Sequence, residues 1–94
     1  MIEWTDTARR HLDQLFDYFA IAADEAVAER VLWRIVNNVQ QLSLFPMSGR
    51  VGRISGTREL PLINTPFIAV YSLEPGRIAI LAIYHGAQRW PESL

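Results

Sequence analysis

The stretch PFIAVYSLEPGRIAILAIYH, residues 66–85, decides the fold. Its two halves are crowded with Phe, Ile, Val and Tyr, side chains that suit a pleated, half-buried surface. Between them Glu74, Pro75 and Gly76 supply turn chemistry. The pattern predicts an antiparallel hairpin of PFIAVYSL (66–73) and RIAILAIYH (77–85). Both alternating sets of the second strand are apolar, with Ile78, Ile80, Ala82 and Tyr84 on one face and Ala79, Leu81 and Ile83 on the other. Helices packed on one side of a sheet leave its other side bare. That side is expected to be an apolar interaction surface, or else to be covered by residues 47–57 and the tail folding back.

Upstream, TRELPLI (57–63) reads as a strand in which Pro61 belongs at an edge, or where no amide proton is needed. Residues 47–57 are punctuated by Gly and Ser and read as a loop. Before them lie two helical patterns. The first starts at Thr5 and Asp6 and carries Ala8, Leu12, Leu15, Phe16, Phe19 and Ala23 on one stripe. The second is capped by Asp24, carries Ala28, Val31, Leu32, Ile35, Val36, Val39 and Leu42, and ends before Pro46. Trp33 lies off this stripe, as a part-buried packing residue or as an anchor for another protein. MIEW (1–4) reads as a short strand. The expected fold is therefore α+β, one domain over residues 1–94: an N-terminal strand, a helical hairpin, then a three-stranded antiparallel sheet (β-α-α-β-β-β).

Half of the 94 residues are hydrophobic, enough for one small core and too few for two. The absence of cysteine removes disulfides, thiolate metal sites and cysteine nucleophiles, and fits a cytoplasmic protein. MIEWTDTARR has no secretory pattern, and no apolar run approaches the roughly 20 residues of a membrane helix, so no membrane association is expected. A net charge of −1 hides a split. Residues 1–29 hold seven acids against Arg9 and Arg10 (−5), while residues 30–94 hold seven arginines against three acids (+4). Such asymmetry suits local attraction to a polyanion or an acidic protein segment.

Cationic density peaks in GRVGRISGTREL, residues 49–60, with three arginines and three glycines in a chain that has no lysine. GRVGR lacks the strand-loop-helix setting and the lysine of a phosphate loop, so no nucleotide site is expected. His11 and His85 are too few for a metal site, and neither metal nor cofactor is expected. The residues with chemistry to offer are Arg50, Arg53, Arg58, Arg77, Tyr84, His85, Arg89 and Trp90. Trp90 could stack on a base, engage a protein together with Arg89, or fold back on the sheet. With turns near 64–65 and 75–76, regular register sets Arg58 opposite Tyr71, and Tyr71 opposite Ile80. His85 then lies five residues farther along, roughly 17 Å away, unless a bulge intervenes. Arg58 is expected near Arg77 instead, as a cationic end suited to a carboxylate or phosphate.

FPMSGRVGRISGTREL, PFIAVYSL and IAILAIYHGAQRWP, in that order, resemble the toxins of bacterial type II toxin–antitoxin modules, the RelE/ParE superfamily, over nearly the whole chain. The resemblance implies the fold read above and a cytoplasmic toxin that inhibits growth and serves plasmid stabilisation. It also implies a cognate antitoxin whose disordered, acidic segment neutralises the toxin, with operator DNA bound only through that antitoxin. RelE-like members cut messenger RNA on the ribosome, whereas ParE-like members poison DNA gyrase. Nuclease members usually carry an arginine near the end of the third strand and lysines on the second. Here those positions hold Ile68, Glu59 and Pro61, and an aliphatic side chain cannot stabilise a phosphorane. The chain is closer to ParE-like members, with Arg50, Arg53, Arg58, Arg77, Tyr84, His85, Arg89 and Trp90 as target- or antitoxin-binding residues. The alternatives are a ribosome-dependent mRNA endonuclease using Arg50, Arg53, Arg58 and His85, and a non-toxic regulatory partner of the antitoxin.

Overall fold

The computed structural model describes residues 1–91. Strand β1 (Ile2–Trp4) leads into helices α1 (Asp6–Ala22) and α2 (Glu25–Gln40). A 3-10 turn (Gln41–Ser43) follows, then β2 (Arg50–Val51), β3 (Arg58–Pro61), β4 (Phe67–Glu74) and β5 (Arg77–His85). The expected α+β order is present, with one strand more than expected. The five strands form a single sheet in the order β1-β5-β4-β3-β2, in which β1 is parallel to β5 and the other pairings are antiparallel. No helix among the described residues is long and apolar enough to cross a membrane.

Local chemistry accounts for the element ends. The Thr5 hydroxyl accepts from the Ala8 amide at 3.2 Å, capping α1, and donates to the Ile80 carbonyl at 2.9 Å. One side chain thus starts the helix and ties it to β5. Asp24 caps α2 through the Val27 amide at 2.8 Å. Gly76 turns the β4–β5 hairpin at φ 75°, a conformation that costs a residue with a Cβ atom. Helix α2 stops at Gln40, earlier than Pro46 requires, and Ala23 is exposed beyond the end of α1. Trp33 is 67% exposed, so it is no packing residue.

Strand β2 lies inside the segment read as loop. It pairs Arg50 with Glu59 and Val51 with Arg58, so β3 is not the sheet edge over those residues. Pro61, two positions on, pairs only with Ile68 on β4, and its missing amide proton falls beyond the reach of β2. The expected register of Arg58 with Tyr71 and Tyr71 with Ile80 is observed.

The facing of β5 differs from the sequence reading. Val70 pairs with Ala82 while Tyr71 pairs with Ile80, so Leu81 is an extra, bulged residue. One inserted residue inverts every side chain beyond it. Ile78, Ile80 and Ile83 therefore pack toward the helices with Ala8, Ile35, Val39 and Tyr71, whereas Ala82 and Tyr84 join Val70 on the opposite face. Of the two covers expected for that second face, a partner or the chain's own loop and tail, the second is seen: Trp90 and Leu81 pack on it, and Val70 and Ala82 are fully buried within the chain's own fold.

Strand β1 covers only residues 78–80 of the β5 edge, and α1 takes over beyond them. There the Ile83 amide donates to His11 Nδ1 at 3.1 Å, with the His11 ring 5.3 Å from that of Tyr84. The acceptor nitrogen must be unprotonated. Burial, followed by the neighbouring Arg10 charge, holds the His11 pKa below its ordinary value.

Two predictions follow from this packing. A Cβ at Gly49 would lie 2.6 Å from Cε1 and Oη of the fully buried Tyr71 and 2.9 Å from the Glu59 carbonyl. Gly49→Ala should therefore cost about 2–3 kcal/mol in a denaturant titration. His11 binds a proton more readily in the unfolded chain than in the fold, so its contribution is complete above about pH 6.5 and is lost as pH falls toward the lower folded-state pKa. The denaturation midpoint should fall between pH 7.5 and pH 5.5, and His11→Asn, which keeps an acceptor but cannot titrate, should flatten that fall.

Candidate functional site

Glu59 is the one acid in the arginine-rich segment, and β3 places it on the sheet face opposite the helices, in the row Glu59, Val70, Ala82. It is 2% exposed. A carboxylate removed from water must be compensated by charge and hydrogen bonds. Arg50, directly opposite on β2, donates to Oε1 through Nε at 3.3 Å and Nη2 at 3.1 Å. Arg53 donates its backbone amide to Oε2 at 2.7 Å, with Nε to Oε2 at 3.1 Å and Nη2 to Oε1 at 3.2 Å. Burial alone would raise the Glu59 pKa. The Arg53 amide, then the Arg53 and Arg50 side chains, outweigh burial and hold it below the ordinary value.

Arg53 reaches further. Its guanidinium carbon sits 3.5 Å from the centroid of the Trp90 ring, a cation–π contact. Trp90 donates its indole proton to the His85 carbonyl at 3.3 Å and lies 5.0 Å from the Tyr84 ring. Glu59, Arg53, Trp90, Tyr84 and His11 thus form a continuous chain of contacts across the sheet. Of the three readings of Trp90, folding back on the sheet is the one observed. Tyr84 is buried in this chain, which pushes its hydroxyl pKa up.

Arg58 lies on the other face with its partner Tyr71. Its Nε donates to the Gly49 carbonyl at 3.0 Å and its Nη2 to the Met47 carbonyl at 3.3 Å. The Tyr71 hydroxyl pins the same loop, donating to the Pro46 carbonyl at 2.8 Å and accepting from the Gly49 amide at 2.9 Å. Arg58 forms no salt bridge among the described residues. Arg77 is bonded to two acids, with Nη1 2.6 Å from Glu3 Oε2 and Nε 2.8 Å from Glu74 Oε1. Glu3 pairs with Ala79 between Ile2 and Trp4, which pack into the helix-side core. Arg58 and Arg77 therefore make no joint cationic end, contrary to the sequence expectation.

His85 lies at the far end of β5, opposite Phe67. Along β4, Phe67 is four residues from Tyr71, so His85 is roughly 13 Å along the strands from Arg58, plus two inter-strand steps. The bulge shortens the 17 Å expected from regular register but does not bring the two together. His85 Nδ1 accepts from the Ala87 amide at 3.0 Å, and the His85 amide donates to Gln88 Oε1 at 2.7 Å. The ring borders a cleft of about 360 Å³ lined by Tyr18, Phe19, Pro66 and Phe67. Arg89 is exposed on the tail. Among the described residues no three His, Cys, Asp or Glu side chains cluster as metal ligands.

The structure thus brings together Arg50, Arg53, Tyr84 and Trp90, and leaves Arg58, Arg77 and His85 apart from them and from one another. Glu59, at the centre, was read from sequence only as a departure from the nuclease pattern. The available signal was its position as a lone acid among three arginines. Replacing it by Gln would leave two guanidiniums facing a neutral amide. Glu59→Gln should lower stability by about 1–3 kcal/mol, and Glu59→Leu, which keeps no acceptor, should strip the Arg53 amide of its hydrogen-exchange protection.

Residues 2–90 match the family model described as the ParE toxin of the type II toxin–antitoxin system, parDE. A protein of Sinorhizobium fredii (strain NBRC 101917 / NGR234) bearing the name "Putative toxin Y4kP" is 41% identical over 93 residues, covering 99% of this chain and 95% of its own. A structure of the chromosomal ParDE toxin–antitoxin system from P. aeruginosa superposes with a TM-score of 0.83 at 28% identity, covering 89% of this chain and 92% of that one. The RelBE2 toxin–antitoxin complex of Mycobacterium tuberculosis shares the fold, with a TM-score of 0.67 at 23% identity over 90% of this chain and 95% of that one. By the match over residues 2–90, the chain belongs to the ParE toxin family of type II toxin–antitoxin systems.

Proposed function

We propose that this ParE-family chain inhibits growth by binding a macromolecular target, DNA gyrase, in the cytoplasm, and that a cognate antitoxin neutralises it and carries the pair to operator DNA. The observation that carries this reading is how the cations and the histidine are already used. Cleaving RNA without a metal needs a base at the 2′-hydroxyl and a cation at the same phosphate. Arg50 and Arg53 serve a buried carboxylate, Arg58 serves backbone carbonyls on the other face, and His85 Nδ1 closes its own turn. The positions where nuclease members carry cations hold Glu59, Pro61 and Ile68, a contiguous group in which Pro61 pairs with Ile68. An antitoxin partner is supported by the two structural relatives, each described as part of a toxin–antitoxin assembly.

The test compares two reactions using the same purified chain. With gyrase and supercoiled plasmid it should accumulate stalled cleavage complexes, and with translating ribosomes it should leave the message intact. Message cleavage that disappears in His85→Ala would overturn the reading.

A further inference from the structure

We infer that the hollow beside Arg58 is a docking seat for an extended peptide segment in which a carboxylate is flanked by aliphatic side chains. This rests on the binding reading above and states by what chemistry the neutralising partner is gripped. The guanidiniums of the loop are unequal. Arg50 and Arg53 share one carboxylate, and Arg77 has two, whereas among the described residues Arg58 is bonded to neutral carbonyls alone. Two of its five N–H groups are used, so three remain on the outer side of the fork, the geometry that grips a carboxylate bidentately.

The fork is also held in place beforehand. Its two carbonyl acceptors belong to residues 47 and 49, and the buried Tyr71 hydroxyl fixes the Gly49 amide. Little side-chain freedom is left for a ligand to remove, which favours binding. Around it the surface is apolar. Val51, Thr57, Arg58 and Leu73 line a hollow of about 270 Å³, and Val51 is 78%, Met47 61% and Leu73 41% exposed. A cation with no acid partner among the described residues, set beside the exposed side chains of Val51 and Leu73, complements a segment that brings an acid and hydrocarbon together. A phosphodiester backbone brings charge without hydrocarbon. Val51 is on β2, the last strand of the sheet order, so an extended chain can also lie alongside it.

The experiment titrates the full chain with fluorescein-labelled, end-blocked 12-residue peptides of alternating aliphatic and Glu residues, with Gln counterparts, and with a 12-nucleotide single-stranded oligonucleotide. The Glu peptide should bind best. Arg58→Gln should weaken it by about tenfold or more, and Arg34→Gln, at an exposed position of α2 that does not line the hollow, should leave it unchanged. Because Arg58 also holds the loop, Val51→Asp provides a second variant that sets a like charge at the seat without touching those bonds, and it should weaken the Glu peptide as well. Equal affinity for Glu and Gln peptides, no loss in a folded Arg58→Gln or Val51→Asp, or tighter Arg58-dependent binding of the oligonucleotide would each overturn the seat. Gyrase poisoning that persists when the peptides do not bind rejects the seat alone and leaves the binding reading standing.

Discussion

A buried carboxylate organises half of this molecule. Glu59 sits on a sheet face shared with Val70 and Ala82, where an unpaired charge would cost several kcal/mol. Its demand for donors draws Arg50 and Arg53 inward and sets the path of the chain between β2 and β3. Arg53, once held, offers its flat guanidinium to Trp90, and Trp90 carries the tail across the face. Arg50 and Arg53, which look on paper like a surface for polyanions, are tied to this one carboxylate while about half of each side chain stays exposed.

The other face follows a different logic. Tyr71 is buried among helix-side residues, and its hydroxyl is satisfied by the backbone of residues 46 and 49. Gly49 is required there because no side chain fits between Tyr71 and the Glu59 carbonyl. Arg58 fastens the same loop from outside. The glycines of GRVG thus permit close approach: a Cβ at Gly52 would meet the hydroxyl and carbonyl oxygens of Thr57. The loop is thus pinned from both faces of the sheet, by Tyr71 and Arg58 on one and by Glu59 on the other.

Charge is therefore distributed by role. Guanidiniums paired with Glu59, Glu3 and Glu74 hold strands and loop together, while that of Arg58 is oriented by neutral carbonyls and has no acid partner among the described residues. The same economy separates His11 from His85: one caps a strand edge that β1 leaves uncovered, and the other closes a terminal turn. Both histidine Nδ1 atoms accept backbone amides, so each ring is oriented by the main chain.

Sequence alone determined the features whose information is local. The hairpin of residues 66–85, the caps at Thr5 and Asp24, the buried stripes of the helices and the pairing of Arg58 with Tyr71 all follow from spacing and turn chemistry, which act over a few residues. Only the tertiary structure decided the rest. The bulge at Leu81 was illegible because both alternating sets of β5 are apolar, so sliding by one residue leaves the hydrophobic pattern intact and only packing against the helices selects the face. Strand β2 was hidden because two residues among glycines carry no periodicity. Which acid each arginine serves depended on geometry that composition does not contain: Arg77 reaches Glu3 across 74 positions of sequence, and Glu59 attracts its two partners because folding takes it out of water.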